Sequence, residues 1–177
     1  MRTPTKKKGF SLIELLIVVA IILIIAAIAV PSLIHAKIAA NQSSAAASLR
    51  TLDSAATAYS NTYGDGYPPN LSVLAPPASP PVTCDAAGMI DDVLGTGQKS
   101  GYQFAWQTGA DQLGTTPTGC STAGYSDMFA VTASPFGFPT GTIYFCVDAT
   151  GVIRGQAGVI TATTAGCPTT VQPIGDD

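Results

Sequence analysis

From Phe10 to Val30 the chain reads FSLIELLIVVAIILIIAAIAV, an apolar run interrupted by a single acid, Glu14. Fifteen of these twenty-one residues are Leu, Ile, Val or Phe. At about −0.4 kcal/mol each they favour membrane insertion by on the order of −6 kcal/mol, which outweighs the ~+3 kcal/mol of one carboxylate. As a helix the run spans roughly 31 Å, against ~30 Å of bilayer hydrocarbon. The pattern then changes period instead of stopping. Ile34, Ile38, Gln42, Ala45, Leu49, Leu52, Ala56, Tyr59 and Tyr63 recur at steps of three and four, with Asn41, Ser44, Arg50 and Asp53 on other faces. This predicts an amphipathic helix continuing the apolar one, ended by the turn residues Tyr63-Gly64-Asp65-Gly66-Tyr67-Pro68-Pro69. Unbroken, such a helix has about 54 residues and measures roughly 80 Å, so half of it has no place in a globular core. Pro31 lies in its middle, where the missing N–H and the ring clash predict a kink or local opening.

Beyond a proline-rich stretch, Pro68 to Pro81, read as a linker, short alternating runs predict strands at Tyr102–Trp106, Asp127–Ala133, Thr142–Asp148 and Gly151–Arg154. A weaker one lies at Val159–Thr163. Tyr102, Phe104 and Trp106 share one face, as do Ile143, Phe145 and Val147, which suits an antiparallel sheet with one buried face. The amphipathic stripe from Ile38 to Tyr59 is the natural cover for that face. Asp148-Ala149-Thr150-Gly151 reads as a hairpin turn with Gly151 left-handed, and Gly95 to Gly101 as a surface loop. The fold class is α+β.

Charge changes the picture by orienting the long helix. Four of the eight basic residues, Arg2, Lys6, Lys7 and Lys8, precede the apolar run, while only Lys37 and Arg50 follow it closely. That asymmetry predicts a single pass through the cytoplasmic membrane, N-terminus inside and body outside, with His35 and Lys37 at headgroup level. Without the first nine residues, four basic residues face eleven acidic ones, a formal charge of −7, which argues against nucleic-acid binding by the body. An ordinary cleaved signal peptide fits poorly, since its apolar region is shorter and carries no acid, and here the helical pattern continues past the small-residue sites near Ala29 and Ala36.

Four cysteines, Cys84, Cys120, Cys146 and Cys167, all lie beyond the apolar run and none forms a C-x-x-C pair. In an exported chain they predict two disulfides in an oxidising compartment. Three pairings are open. Cys146–Cys167 is favoured because the Gly151 hairpin turns the chain back, and Cys84–Cys120 then follows. No cofactor or metal is expected: there is one histidine, no His-Glu-x-x-His or Gly-x-Ser-x-Gly, and Asp91-Asp92 lacks the ligand spacing of a calcium loop. Enzymatic constellations are missing. The sequons at Asn41 and Asn70 are read as chance matches.

Lys8-Gly9-Phe10-Ser11-Leu12-Ile13-Glu14-Leu15-Leu16, the apolar run and Pro31 resemble the N-terminal motif of type IV prepilins and type II secretion pseudopilins. The resemblance implies cleavage between Gly9 and Phe10 by a membrane prepilin peptidase, N-methylation of Phe10 by the same enzyme, and an assembly role for Glu14. It divides the chain into a cytoplasmic leader (1–9), a transmembrane and assembly helix (10–33) and an extracytoplasmic pilin domain (34–177), an α+β pilin roll. Its implied partners are further copies of itself in a helical homopolymer, the peptidase/methyltransferase, an inner-membrane assembly platform and membrane lipid. Glu14 is the only glutamate in the chain. Cleavage creates an amine at Phe10, a cation at neutral pH, for which Glu14 is a partner either within its own helix or on the next subunit. The expected function is a structural subunit of a type IV pilus, serving adhesion, twitching motility or DNA uptake. The alternative is a type II secretion pseudopilin, whose filament stays periplasmic; plain single-pass anchoring has no use for Glu14.

Overall fold

The structure, a computed structural model, describes residues 9–64, 66–109, 119–120 and 125–175. The basic leader residues Arg2, Lys6, Lys7 and Lys8 lie outside the described residues. Two compact units are present, residues 1–37 and 38–177. One helix, α1 (Leu12–Tyr63), contributes to both. Its helical assignment passes through Pro31 without interruption, so the local opening expected there is not seen. Ser11 precedes the first turn, and Gly64, at φ 82°, stops the last one where L side chains would be strained.

In the first unit α1 buries almost nothing of itself. The large apolar side chains from Leu12 to Leu33 are 46–81% exposed and occur on every side of the helix. In the second unit the same helix is one-sided. Ile38, Ala45, Leu49, Leu52, Ala56 and Tyr59 are buried, at the steps of three and four read from the sequence.

From Ala45 to Tyr59 that stripe lies in the main core of the second unit together with the inner face of a five-stranded antiparallel sheet. The strands are β1 (Gln98–Lys99), β2 (Tyr102–Thr108), β3 (Phe129–Pro135), β4 (Tyr144–Asp148) and β5 (Arg154–Gln156), in the spatial order of the chain. The register sets Phe104 opposite Ala133, Trp106 opposite Val131, and Val131 opposite Val147, so aromatic and β-branched groups share the helix-facing side. Trp106 stacks on Phe129 at 5.0 Å between ring centroids.

Three expectations need correction. Pro68–Pro81 is no plain linker: it contains a short helix, α2 (Leu71–Leu74), whose Leu71, Val73 and Leu74 are buried in the main core. Gly95–Gly101 is not a loop throughout; Gly95 closes another short helix, α3 (Asp92–Gly95), and Gln98–Lys99 pairs with β2. The sheet is also buried on both sides at its centre. Ala130, Cys146, Ile160, Cys167 and Val171 form a second cluster, because the segment after β5 folds back over the outer face. Val159–Thr163 belongs to that covering segment and is not a strand, although Thr163 bridges to Gly166. The expected strand at Gly151–Arg154 starts three residues later, at Arg154, since Gly151 at φ 72° is spent in the turn.

Candidate functional site

The candidate site is built on the start of α1. Phe10 is 80% exposed, and among the described residues a side chain added at Gly9 would meet no atom within 4 Å. Gly9 has no positive φ either, so nothing among the described residues requires glycine there. The Ser11 backbone N–H donates to Glu14 Oε2 at 3.0 Å, which is one half of a capping box: Ser11 at the N-cap, Glu14 in the first turn. It satisfies one of the amide groups that a helix start leaves without intrahelical partners, and it sets a carboxylate at the positive end of the helix dipole.

Behind this end stands a surface that water does not favour. The best 18-residue window of α1 has a mean hydropathy of 3.3 and is wholly unburied by the chain itself. A helix apolar all round and buried by nothing in its own fold needs lipid or other protein around it. His35 and Lys37, beyond the run, are exposed.

The other candidate residues are structural in the second unit. Cys84 is joined to Cys120 and Cys146 to Cys167. The first bridge adjoins a tyrosine network in which Tyr59 donates to the Cys84 carbonyl at 2.6 Å, with the Tyr125 hydroxyl 3.1 Å away. Burial pushes both hydroxyls above the ordinary tyrosine range. The second bridge ties the covering segment to β4. Beside it Asp148, buried, accepts from the Cys167 N–H at 2.9 Å through Oδ2 and from the Thr150 N–H and hydroxyl through Oδ1. Burial, and then the Asp148 charge, raise the Asp53 carboxyl above its usual range.

Sequence reasoning missed Asp148 as an organising group, although an Asp two residues before Thr150 in a turn is the local signal for a side chain capping its own backbone. Asp91 and Asn70 have plain local roles. Asp91 caps α3 through the Leu94 N–H and pairs with Lys99 at 2.7 Å, and the lysine followed by that N–H holds its carboxyl below the usual range. Asn70 caps α2. No group of three or more His, Cys, Asp or Glu is arranged to hold a metal among the described residues.

Residues 4–30 match a family model described as the prokaryotic N-terminal methylation motif, the signature shared by type IV pilins and pseudopilins. No curated protein and no solved structure matches the chain. The match covers Gly9, Phe10, Glu14 and the whole apolar run. With the exposed apolar helix it fits an inner-membrane-anchored, single-pass protein of structural type.

Proposed function

We propose that the chain is the precursor of a type IV pilus subunit, cut between Gly9 and Phe10, methylated at the new Phe10 amine, and assembled through Glu14 and the apolar half of α1. The observation that carries this is the coincidence of the methylation motif at residues 4–30 with the apolar run at the start of α1, whose side chains the fold leaves uncovered. In the precursor state that surface is solvated by lipid. In a filament, the same surface of neighbouring copies replaces lipid, so subunits leave the membrane without exposing it to water.

Glu14 then has a second use. Its Oε2 holds the Ser11 amide, and its negative charge is the partner for an amine on an adjacent subunit. Buried charge that must find its opposite rewards one axial register over others. The body supplies a shell for the fibre: two disulfides, and a sheet covered on both sides, suit exposure outside the cell.

The test is the mature N-terminus and the filament's location. Intact mass and N-terminal sequencing of the membrane pool are expected to give N-methyl-Phe10, and deletion of the prepilin peptidase is expected to leave an uncut chain that still carries Gly9 ahead of Phe10. Shearing is expected to release the mature subunit in extracellular filaments. A mature chain starting near Val30 or Lys37 would overturn the reading. Recovery only from the periplasm, with loss of folded-protein secretion on deletion, would assign the pseudopilin role instead.

A further inference from the structure

Asp148 is buried and forms no ion pair among the described residues; N–H and O–H donors from two turns hold its carboxylate. The first turn is its own. Oδ1 accepts from the Thr150 N–H at 3.0 Å and from the Thr150 hydroxyl at 2.6 Å, and the Asp148 carbonyl accepts from the Gly151 N–H at 2.9 Å. The second turn runs from Thr163 to Gly166, which exchange N–H and carbonyl bonds at 3.0 Å each, while the Ala165 N–H donates to the Thr163 hydroxyl at 3.2 Å. Gly166 stands at φ 108°, and a side chain on it would come within 2.8 Å of Asp148 Oδ2. Glycine there lets the next amide, that of Cys167, reach Oδ2 at 2.9 Å. Each turn is closed by bonds between near neighbours in the chain, so neither needs a cross-link in order to form.

We infer that Asp148 is the positioning residue for the second disulfide: its carboxylate catches the Cys167 N–H in the reduced chain and so selects Cys146 as the partner of Cys167. Cys146 and Asp148 are alternate residues of β4 and share one face of the strand, the outer face that the segment carrying Cys167 covers. A Cys167 backbone held at Asp148 therefore brings its thiol beside that of Cys146. Cys84, by contrast, is buried in the main core with the inner face of the sheet, and Cys120 packs against that core. In the oxidation the Cys146 and Cys167 thiols form one S–S bond and deliver two electrons and two protons to a disulfide-bearing oxidant, which leaves as two thiols. Loop length alone selects weakly. Closing the 21-residue separation of this pair is favoured over closing the loop from Cys146 to Cys120 by only about 1.4-fold. A hydrogen bond to a charged acceptor adds a factor of about ten or more.

The test is oxidative refolding of the full-length chain. It is reduced and unfolded in urea with detergent, then diluted into detergent micelles containing reduced and oxidised glutathione. Samples are quenched at intervals by acid and thiol alkylation, and peptide mapping identifies the bridge in molecules that carry only one. Three variants accompany the unaltered chain. Asp148→Asn keeps the volume and one acceptor for the Thr150 turn, and sets an amide donor against the Cys167 N–H. Asp148→Ala removes both acceptors, and Thr150→Ala weakens the turn while leaving Oδ2 in place. Among first-formed bridges, the ratio of Cys146–Cys167 to Cys120–Cys146 is expected to be at least about ten in the unaltered chain and in Thr150→Ala, and to fall to about 1.4 in both Asp148 variants. The ratio is read before the domain is complete, so a variant that never reaches the native fold still reports. Asp148 variants that keep the parent's ratio overturn the inference, as does a parent whose ratio is already that of loop length alone. An equal fall in Thr150→Ala assigns the selection to the stability of the turn, and the Cys167 contact loses its role.

Discussion

Glu14 reaches back three residues to hold the Ser11 amide at 3.0 Å, so the carboxylate proposed for assembly already caps its own helix. The two roles make different demands. A cap needs only an acceptor oxygen, worth about 1 kcal/mol at a helix start. Neutralising a neighbour's buried amine needs charge, and leaving that amine unpaired costs several kcal/mol at every subunit addition.

Glu14→Gln therefore discriminates between them. It keeps the acceptor and removes the charge, whereas Glu14→Ala removes both. Membrane insertion and cleavage are expected to persist in both variants, because each loses a carboxylate from the apolar run. Sheared filament yield is expected to collapse equally in both. Recovery of assembly by Gln but not Ala would mean that Glu14 acts as a cap alone.

Gly9→Val is expected to block processing without touching the folded domain. Among the described residues nothing lies within 4 Å of a side chain at Gly9, so the described fold tolerates one. Uncut precursor should accumulate on immunoblots while the thermal midpoint in detergent stays at the parent's value. Normal cleavage would remove the peptidase from the account of this glycine.

Replacing Cys146 and Cys167 with serine is expected to cost about 3 kcal/mol by loss of the loop constraint, on an entropic model of the cross-link. The bridge spans 21 residues and fastens the segment covering the sheet's outer face. Urea unfolding should show the loss, and limited proteolysis should cut first between Gln156 and Gly175. Equal protection with and without the bridge would mean that Ile160 and Val171 hold the segment unaided.

Asp53 gives the domain a pH signature. Its carboxyl is raised by burial and then by Asp148, so ionising it in the folded state is unfavourable relative to the unfolded chain. The sign follows: the relative stability it contributes is complete below the unfolded value of 3.8 and is lost as pH rises through the folded one. Asp53→Asn is expected to raise the thermal midpoint at neutral pH, with the advantage shrinking on acidification toward pH ~4. A midpoint difference independent of pH would show that burial and Asp148 do not govern this carboxyl.

What the sequence determined was whatever is local or periodic. The apolar run is legible because a bilayer responds to summed hydropathy over contiguous residues, with no tertiary partner required. The stripe from Ile38 to Tyr59 is legible because burial on one side imposes a 3.6-residue period, and the α+β class follows from that stripe and the alternation in Tyr102–Trp106. The tertiary structure decided what depends on distant residues meeting. β3 is buried at five successive positions, Phe129 to Ala133, because α1 lies in the core on one side and the segment carrying Ile160 and Val171 on the other; alternation fails there since both faces are dry. Leu71, Val73 and Leu74 looked like linker residues until Asn70 capped a single turn and the core received them. Asp148 reads as one more hydrophilic turn residue until a bridge returns Cys167 to its side. Its carboxylate then sits buried between two backbone amides and a hydroxyl that lie apart in the chain, an arrangement that no window of sequence contains.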